Sequence, residues 1–284
     1  MPILPPDFRA PDRTHVGRVT IQVADLERSV AFYVDLLGFA VLAREIAPRG
    51  ASARLGAEAD GRALLEIRER PGVRPVPRRG LLGLYHFAVL LPSRADLGRL
   101  LAHLHARQVP MGAADHLVSE ALYLVDPDGI TVEMYRDRPR AEWTPRGDEL
   151  AMASDPLDTA GLLRAGAGAP FAGLVTGTTI GHVHFYVDDL KQAASFYHQG
   201  LGLDQMVWSF PGALFMAAGG YHHHVGANIW AAGSRVATED DAKLVEWELV
   251  MPTLEDVRAA GDSVRRAGHD VTSGADDEVA SDPW

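Results

Sequence analysis

Hydrophobic and polar positions along this chain fall into alternating strands followed by short amphipathic helices, and the plan is used more than once. Val16 to Val23 alternate like a half-buried strand, and Asp25 follows where a helix N-cap belongs. Leu26, Val30, Phe32, Tyr33, Leu36 and Leu37 then recur at helical spacing and predict a core-facing stripe up to about Gly38. Short strands close this first unit, ending with Ala63 to Ile67. A second unit has the same order: a strand from Tyr85 to Leu91, a helix from about Arg94 to Arg107, and strands around Ala121 to Val125 and Thr131 to Tyr135. Asp126-Pro127-Asp128-Gly129 reads as the tight turn between the last two.

The pattern repeats at the level of individual residues. Val23, Asp25-Leu26, Phe32-Tyr33 and Leu37-Gly38 recur 164 positions later as Val187, Asp189-Leu190, Phe196-Tyr197 and Leu201-Gly202. Pro92 and Asp96 recur 160 positions later as Pro252 and Asp256, each following an apolar strand and opening a helix. Four related units are therefore expected. The third opens with the strand Thr179 to Val187 and the fourth with Leu244 to Met251. Between the halves, about Arg138 to Thr178, weak periodicity with Pro, Gly and acidic residues predicts a connector holding one short helix. The domain reading is residues 14–137, a connector 138–178, and residues 179–284. Asp282-Pro283-Trp284 matches the turn at Asp126, so the fourth unit is expected to lack its final strand.

Composition narrows the chemistry. At 284 residues and 47% hydrophobic content the chain can bury a sizeable core. A formal net charge of −11, with both signs interspersed, argues against nucleic acid or an anionic membrane as partner. With no cysteine, disulfides, thiolate nucleophiles and sulfur-ligated metals are excluded, leaving nitrogen and oxygen ligands for any metal. The proline-rich opening, Met1 to Arg13, lacks the apolar segment of a signal peptide, and no stretch reaches 18 apolar residues. The expectation is a soluble, cytoplasmic protein.

Repeated strand-helix-three-strand units with this Asp-Leu, Phe-Tyr and Leu-Gly signature resemble the vicinal oxygen chelate superfamily: glyoxalase I, bleomycin-resistance proteins and type I extradiol dioxygenases. The resemblance covers both halves and omits the connector and the first dozen residues. Tyr221-His222-His223-His224-Val225-Gly226, together with Asp115-His116, Tyr123 and Glu133, looks most like bacterial catechol 2,3-dioxygenases. It implies an α+β fold of four βαβββ modules in two vicinal-oxygen-chelate domains, the modules pairing into cups with metal ligands on the first and last strand of each.

On that resemblance, the first-strand slots hold Arg18, His86, His182 and Glu246, and the last-strand slots hold Glu66, Glu133 and the region His222 to Asn228. Arg18 cannot be a ligand. Pairing the first unit with the second offers only His86, Glu66 and Glu133. Pairing the second with the third brings His86 and Glu133 opposite His182, the two imidazoles and one carboxylate that Fe(II) oxygen chemistry uses. The expected metal set is therefore His86, Glu133 and His182, with Fe(II) favoured over Mn(II) by family habit. The implied substrates are a small aromatic diol and O₂.

Strand alternation places His182, His184 and Tyr186 on one face, and His222, His224 and Asn228 on another, leaving His223 as the outward member of the run. The resemblance makes His222 or His224 the proton-handling residue, since imidazole titrates near neutrality. It makes Tyr123, ten residues before Glu133, a contact to a substrate oxygen, and His116 its hydrogen-bond partner. The bland alternatives are strand packing for Tyr123 and a plain loop position for His116. Glu66, Glu246 and Glu248 read as solvated or structural positions. His15 lies three residues outside the slot, about 10 Å along a strand. His103, His105, His198 and His269 need no special role.

Two rivals remain. One is a glyoxalase-like isomerase or epimerase using Glu66, His86 and Glu133 with Zn, Ni or Co and consuming no oxygen; Arg18, in the fourth ligand slot, speaks against it. The other is a protein that sequesters a drug or pigment without chemistry, which would leave the histidines without purpose. Open sheet edges in such units predict a homodimer.

Overall fold

The computed structural model describes residues 6–47 and 50–284, so the first five residues of the proline-rich opening lie outside the described part. The first unit comprises β1 (His15–Val23), α1 (Leu26–Ala31), β2 (Ala40–Ala47), β3 (Gly50–Gly56) and β4 (Ala63–Glu69). The second comprises β5 (Gly83–Leu90), α2 (Arg94–Ala106), β6 (Gly112–Asp115), β7 (Ser119–Val125) and β8 (Thr131–Asp137). The connector carries β9 (Pro145–Arg146), β10 (Glu149–Leu150) and one helix, α3 (Thr159–Gly166). The third unit is β11 (Thr179–Tyr186), α4 (Leu190–Ala193), β12 (Asp204–Val207), β13 (Ala213–Ala217) and β14 (Val225–Asn228). The fourth is β15 (Lys243–Val250), α5 (Leu254–Arg266), β16 (Val271–Ser273) and β17 (Glu278–Ala280). No helix is long and apolar enough to cross a membrane, among the described residues.

The repeated signature has a physical reading. Asp25 caps α1 by accepting from the Arg28 amide at 2.9 Å, and Asp189 caps α4 from the Lys191 amide at 2.6 Å. Each helix then widens into a π-turn, Phe32–Leu36 and Ala194–Gly200, and ends on a glycine with φ of 75° (Gly38) or 74° (Gly202). The tyrosine of each Phe-Tyr pair is fully buried and donates to an aspartate of the following unit: Tyr33 to Asp126 at 3.1 Å and Tyr197 to Asp282 at 3.0 Å. Asp282 thus repeats Asp126, as the matching turn sequences predict.

The sheets do not follow chain order. One has five strands in the order β15-β1-β4-β3-β2, and the other has eight, β12-β13-β14-β11-β5-β8-β7-β6. Each sheet therefore joins one unit from either half: first with fourth, second with third. The fourth unit gives its sheet only β15, while β16 and β17 form a separate hairpin, and among the described residues no strand follows Asp282.

At the centre of the eight-stranded sheet, β5 runs antiparallel to β11 and parallel to β8. Two irregularities in the β5–β11 ladder matter. Between the pairs His184↔His86 and Phe185↔Leu84, Tyr85 is an extra residue; between Ile180↔Val89 and His182↔Ala88, Gly181 is the extra one. Gly181 is required there, because a Cβ would come within 1.7 Å of the Tyr135 hydroxyl oxygen.

Candidate metal centre and pocket

His86 on β5, His182 on β11 and Glu133 on β8 converge on the concave face of the eight-stranded sheet. Ala88 is the register partner of both Glu133 and His182, which puts all three side chains on one face. The Glu133 Oε2 lies 3.0 Å from His86 Nε2 and 3.2 Å from His182 Nε2, and the two nitrogens are 3.3 Å apart. All three residues are buried. Burial alone would raise the Glu133 carboxyl, but the two imidazoles outweigh it and hold it well below the usual carboxylate range. Burial pushes His182 down to about 4, against the pull of Glu133.

The donor set suits a divalent cation. Ligand bonds of about 2.1 Å at right angles put neighbouring donors about 3.0 Å apart, close to the edges of this triangle. Two neutral imidazoles and one carboxylate on one face leave the opposite positions open, the arrangement that suits non-haem Fe(II). The three residues expected as ligands are thus brought together by pairing of the second and third units.

The other cup holds no such set among the described residues. Glu66 sits in the five-stranded sheet, 3.1 Å from Arg18, 2.8 Å from Arg68 and 3.5 Å from Arg54, while Arg18 also meets Glu248 at 2.9 Å and Arg68 meets Glu246 at 2.8 Å. An ion-pair network fills the place of a metal. The isomerase rival built on Glu66, His86 and Glu133 is corrected on this ground: Glu66 lies in the other sheet with three arginines. His15 is exposed, its Nδ1 3.1 Å from the Arg13 carbonyl oxygen.

A cavity of about 140 Å³ opens beside the triad. Tyr123 on β7 lines it, with its hydroxyl 2.7 Å from His116 Nε2, and His116 Nδ1 lies 2.7 Å from the Ala153 carbonyl oxygen. A carbonyl only accepts, so Nδ1 carries the proton, and in the neutral ring Nε2 accepts from the Tyr123 hydroxyl. Burial, then the Glu133 charge, raises Tyr123 well above its usual value and keeps it a phenol.

The histidine run differs from expectation. The residues from Tyr221 to His224 precede β14 in a turn entered through Gly219 (φ 60°) and Gly220 (φ 66°), so strand alternation does not govern them. All three histidines are buried, and it is His223, expected outward, that lines the cavity, its ring centroid 4.0 Å from that of His182. His222 and His224, expected inward, do not line it. His224 Nδ1 instead accepts from the Ala218 amide at 3.2 Å. His222 Nε2 donates to Asp137 Oδ1 at 2.9 Å, leaving its Nδ1 to accept from His223 Nδ1 at 2.7 Å. Nε2 is then the basic nitrogen of His223. Asp137 also accepts from Tyr221, 2.9 Å away, which in turn accepts from Tyr135 at 2.7 Å.

Most of the other lining residues have no sequence signal of their own. Tyr85 reaches the site only because it is the bulged residue of β5. His184, on the expected face of β11, is held by the Asn228 amide at 3.0 Å and packs on Gly226, where a Cβ would come within 2.7 Å of the ring. Phe210, Phe215 and Trp230 supply an aromatic wall, and the connector supplies Met152, Ala153 and Ser154. Glu149 of the connector pins the loop carrying Phe210 by accepting from the Trp208 and Ser209 amides at 2.7 and 2.8 Å. A doubled glycine before the histidine run was the one readable sign that those residues leave strand geometry.

Comparison with known proteins agrees with this architecture. The model of the Glyoxalase/Bleomycin resistance protein/Dioxygenase superfamily matches residues 15–134 and 179–282. A catechol-2,3-dioxygenase of Bacillus subtilis (strain 168) is 39% identical over 275 residues, covering 95% of this chain and 94% of that protein. Among solved structures, a provisionally assigned dioxygenase from Bacillus subtilis subsp. subtilis str. 168 superposes with a TM-score of 0.65 at 14% identity, covering 98% of this chain and 87% of its own. Glyoxalase I from Zea mays gives a TM-score of 0.53 at 16% identity, covering 92% of this chain and 83% of its own. At those identities the structures speak for the fold alone. On the family match and the 39% identical relative together, the chain belongs to the Glyoxalase/Bleomycin resistance protein/Dioxygenase superfamily.

Proposed function

We propose that this protein is an extradiol dioxygenase that cleaves the ring of a catechol with O₂ at an Fe(II) centre held by His86, His182 and Glu133. The observation that carries the reading is the buried two-imidazole, one-carboxylate triangle opening onto a cavity the size of one aromatic ring. Its 39% identity to a catechol-2,3-dioxygenase supports the same chemistry. When bound, Fe(II) supplies a common site for catechol and O₂ and a route for electrons between them. The ring carbon bond beside the two hydroxyls breaks, and both oxygen atoms enter the open-chain product.

The chain's own residues do the rest. His223, with Nε2 free of a proton, accepts the proton of a catechol hydroxyl, and its tautomer is set by His222 and Asp137 behind it. It thereby takes the role expected of His222 or His224. Tyr123, its hydroxyl held by His116, presents its oxygen towards the ring and its hydroxyls. Phe210, Phe215 and Trp230 hold the ring and exclude water. Protein reconstituted anaerobically with Fe(II) and then given catechol in air is expected to form a yellow ring-opened product. No such product, combined with oxygen-independent turnover of a glutathione hemithioacetal, would overturn the assignment.

A further inference from the structure

We propose that a second, larger cavity beside the metal centre receives the ring substituent of the substrate, so that the preferred substrate is a catechol bearing an extended apolar side chain. The inference rests on the ring-cleaving reading above and names its substrate class. The pocket at the triad measures about 140 Å³, and a cavity of about 150 Å³ holds a single benzene ring. It is of the size of a single ring. The neighbouring cavity is about 320 Å³, and Tyr85 lines both.

The two lie along one face of the same sheet. On β8, Thr131 lines the larger cavity and Glu133 the smaller, two residues apart and therefore on the same side; on β11, Tyr186 and His184 stand in the same relation. Tyr85 lies at the border of the two cavities, its ring centroid 4.6 Å from that of Tyr186, which lines the larger one. Tyr186 is backed by Gly80, where a Cβ would come within 2.5 Å of its ring, and Tyr85, the bulged residue, packs its ring against His86, His184, Tyr186 and Trp230. A substituent on the bound ring leads past Tyr85 into the larger space.

That space is built, its aliphatic side chains sharing the wall with polar groups. Leu81, Leu82, Leu84, Val125 and Ile130 line it, no carboxylate does among the described residues, and of its two cations Lys243 is neutralised by Glu239 at 2.5 Å, leaving Arg78 at the rim. Its walls are bridged by backbone bonds: Leu82 to Arg235 and Ala237 to Leu82, both 3.0 Å, and Val76 to Asp128 at 2.8 Å. Fully buried Asp241 ties the same loops through Arg74 at 3.0 Å and Arg235 at 2.5 Å. The cavity is thus preformed and does not wait for a ligand to shape it.

Anaerobic calorimetric titration of the Fe(II)-loaded protein with catechol and with 4-hexylcatechol tests this without turnover. Each buried methylene strengthens binding about fourfold, so the hexyl compound is expected to bind at least about tenfold more tightly than catechol. Ala237→Trp, which fills the cavity, is expected to bring the ratio of the two constants towards one. Val125→Trp, at an exposed position of the same wall, serves where the first variant folds poorly. A native ratio near one, or a ratio unchanged in both variants, would overturn the proposal while leaving catechol cleavage standing. Failure of both catechols to bind the metal-loaded protein would sink the two readings together.

Discussion

At the scale of single residues, the site combines an ionised carboxylate with imidazoles kept neutral by burial. His182 is pushed to about 4, and burial holds His184 and His223 well below the usual range. A folded-state value below the unfolded value of about 6.5 means that the unfolded chain binds the proton first as pH falls. The neutral rings' contribution is whole above pH about 6.5 and drains away towards pH 4. Asp126, raised to about 7 by burial, acts in the opposite sense over the same window, one group against several. Metal-free protein is therefore expected to lose thermal stability steadily between pH 6.5 and 4; a flat melting temperature across that range would contradict it. For catalysis, His223→Gln is expected to lower kcat about a hundred- to ten-thousand-fold at unchanged iron content, whereas His224→Gln keeps most of it. The opposite ordering in steady-state kinetics would return the proton-handling role to His224.

The element scale explains what could be read in advance. His86, Glu133 and His182 are legible through the family resemblance, which implies slots at fixed offsets from the helix and turn signatures, and strand periodicity carries those offsets into space. Tyr85 and His223 are not. A bulge adds one residue and reverses the side on which a side chain emerges, and nothing in the sequence around Tyr85 marks it. The histidine run has the sequence pattern of a strand, while the chain there is still turning out of Gly219-Gly220. The connector's Met152 and the Trp230 loop reach the pocket through tertiary packing, for which no local pattern exists. The Tyr-Asp clasps belong to this scale too. Tyr33→Phe leaves a buried carboxyl one partner short and is expected to lower stability by about 1–3 kcal/mol, with Tyr197→Phe behaving alike at Asp282. Denaturant midpoints unchanged in both variants would show that the clasps are idle.

At the scale of the whole molecule, four similar units make two unlike cups. Crosswise pairing places a first-strand histidine from each half around Glu133 in one, while Arg18 and its neighbours close the other with ion pairs. Neither half of the chain holds all three residues of the triad, so on the proposed reading the oxygen chemistry depends on the paired halves. Oxygen uptake on catechol by the Fe(II)-loaded protein, with His182→Ala and Glu66→Gln measured beside it, tests this most directly. The account predicts one O₂ consumed per catechol, abolished by His182→Ala and retained in Glu66→Gln. Uptake that survives the loss of His182, or that disappears with Glu66, would contradict it.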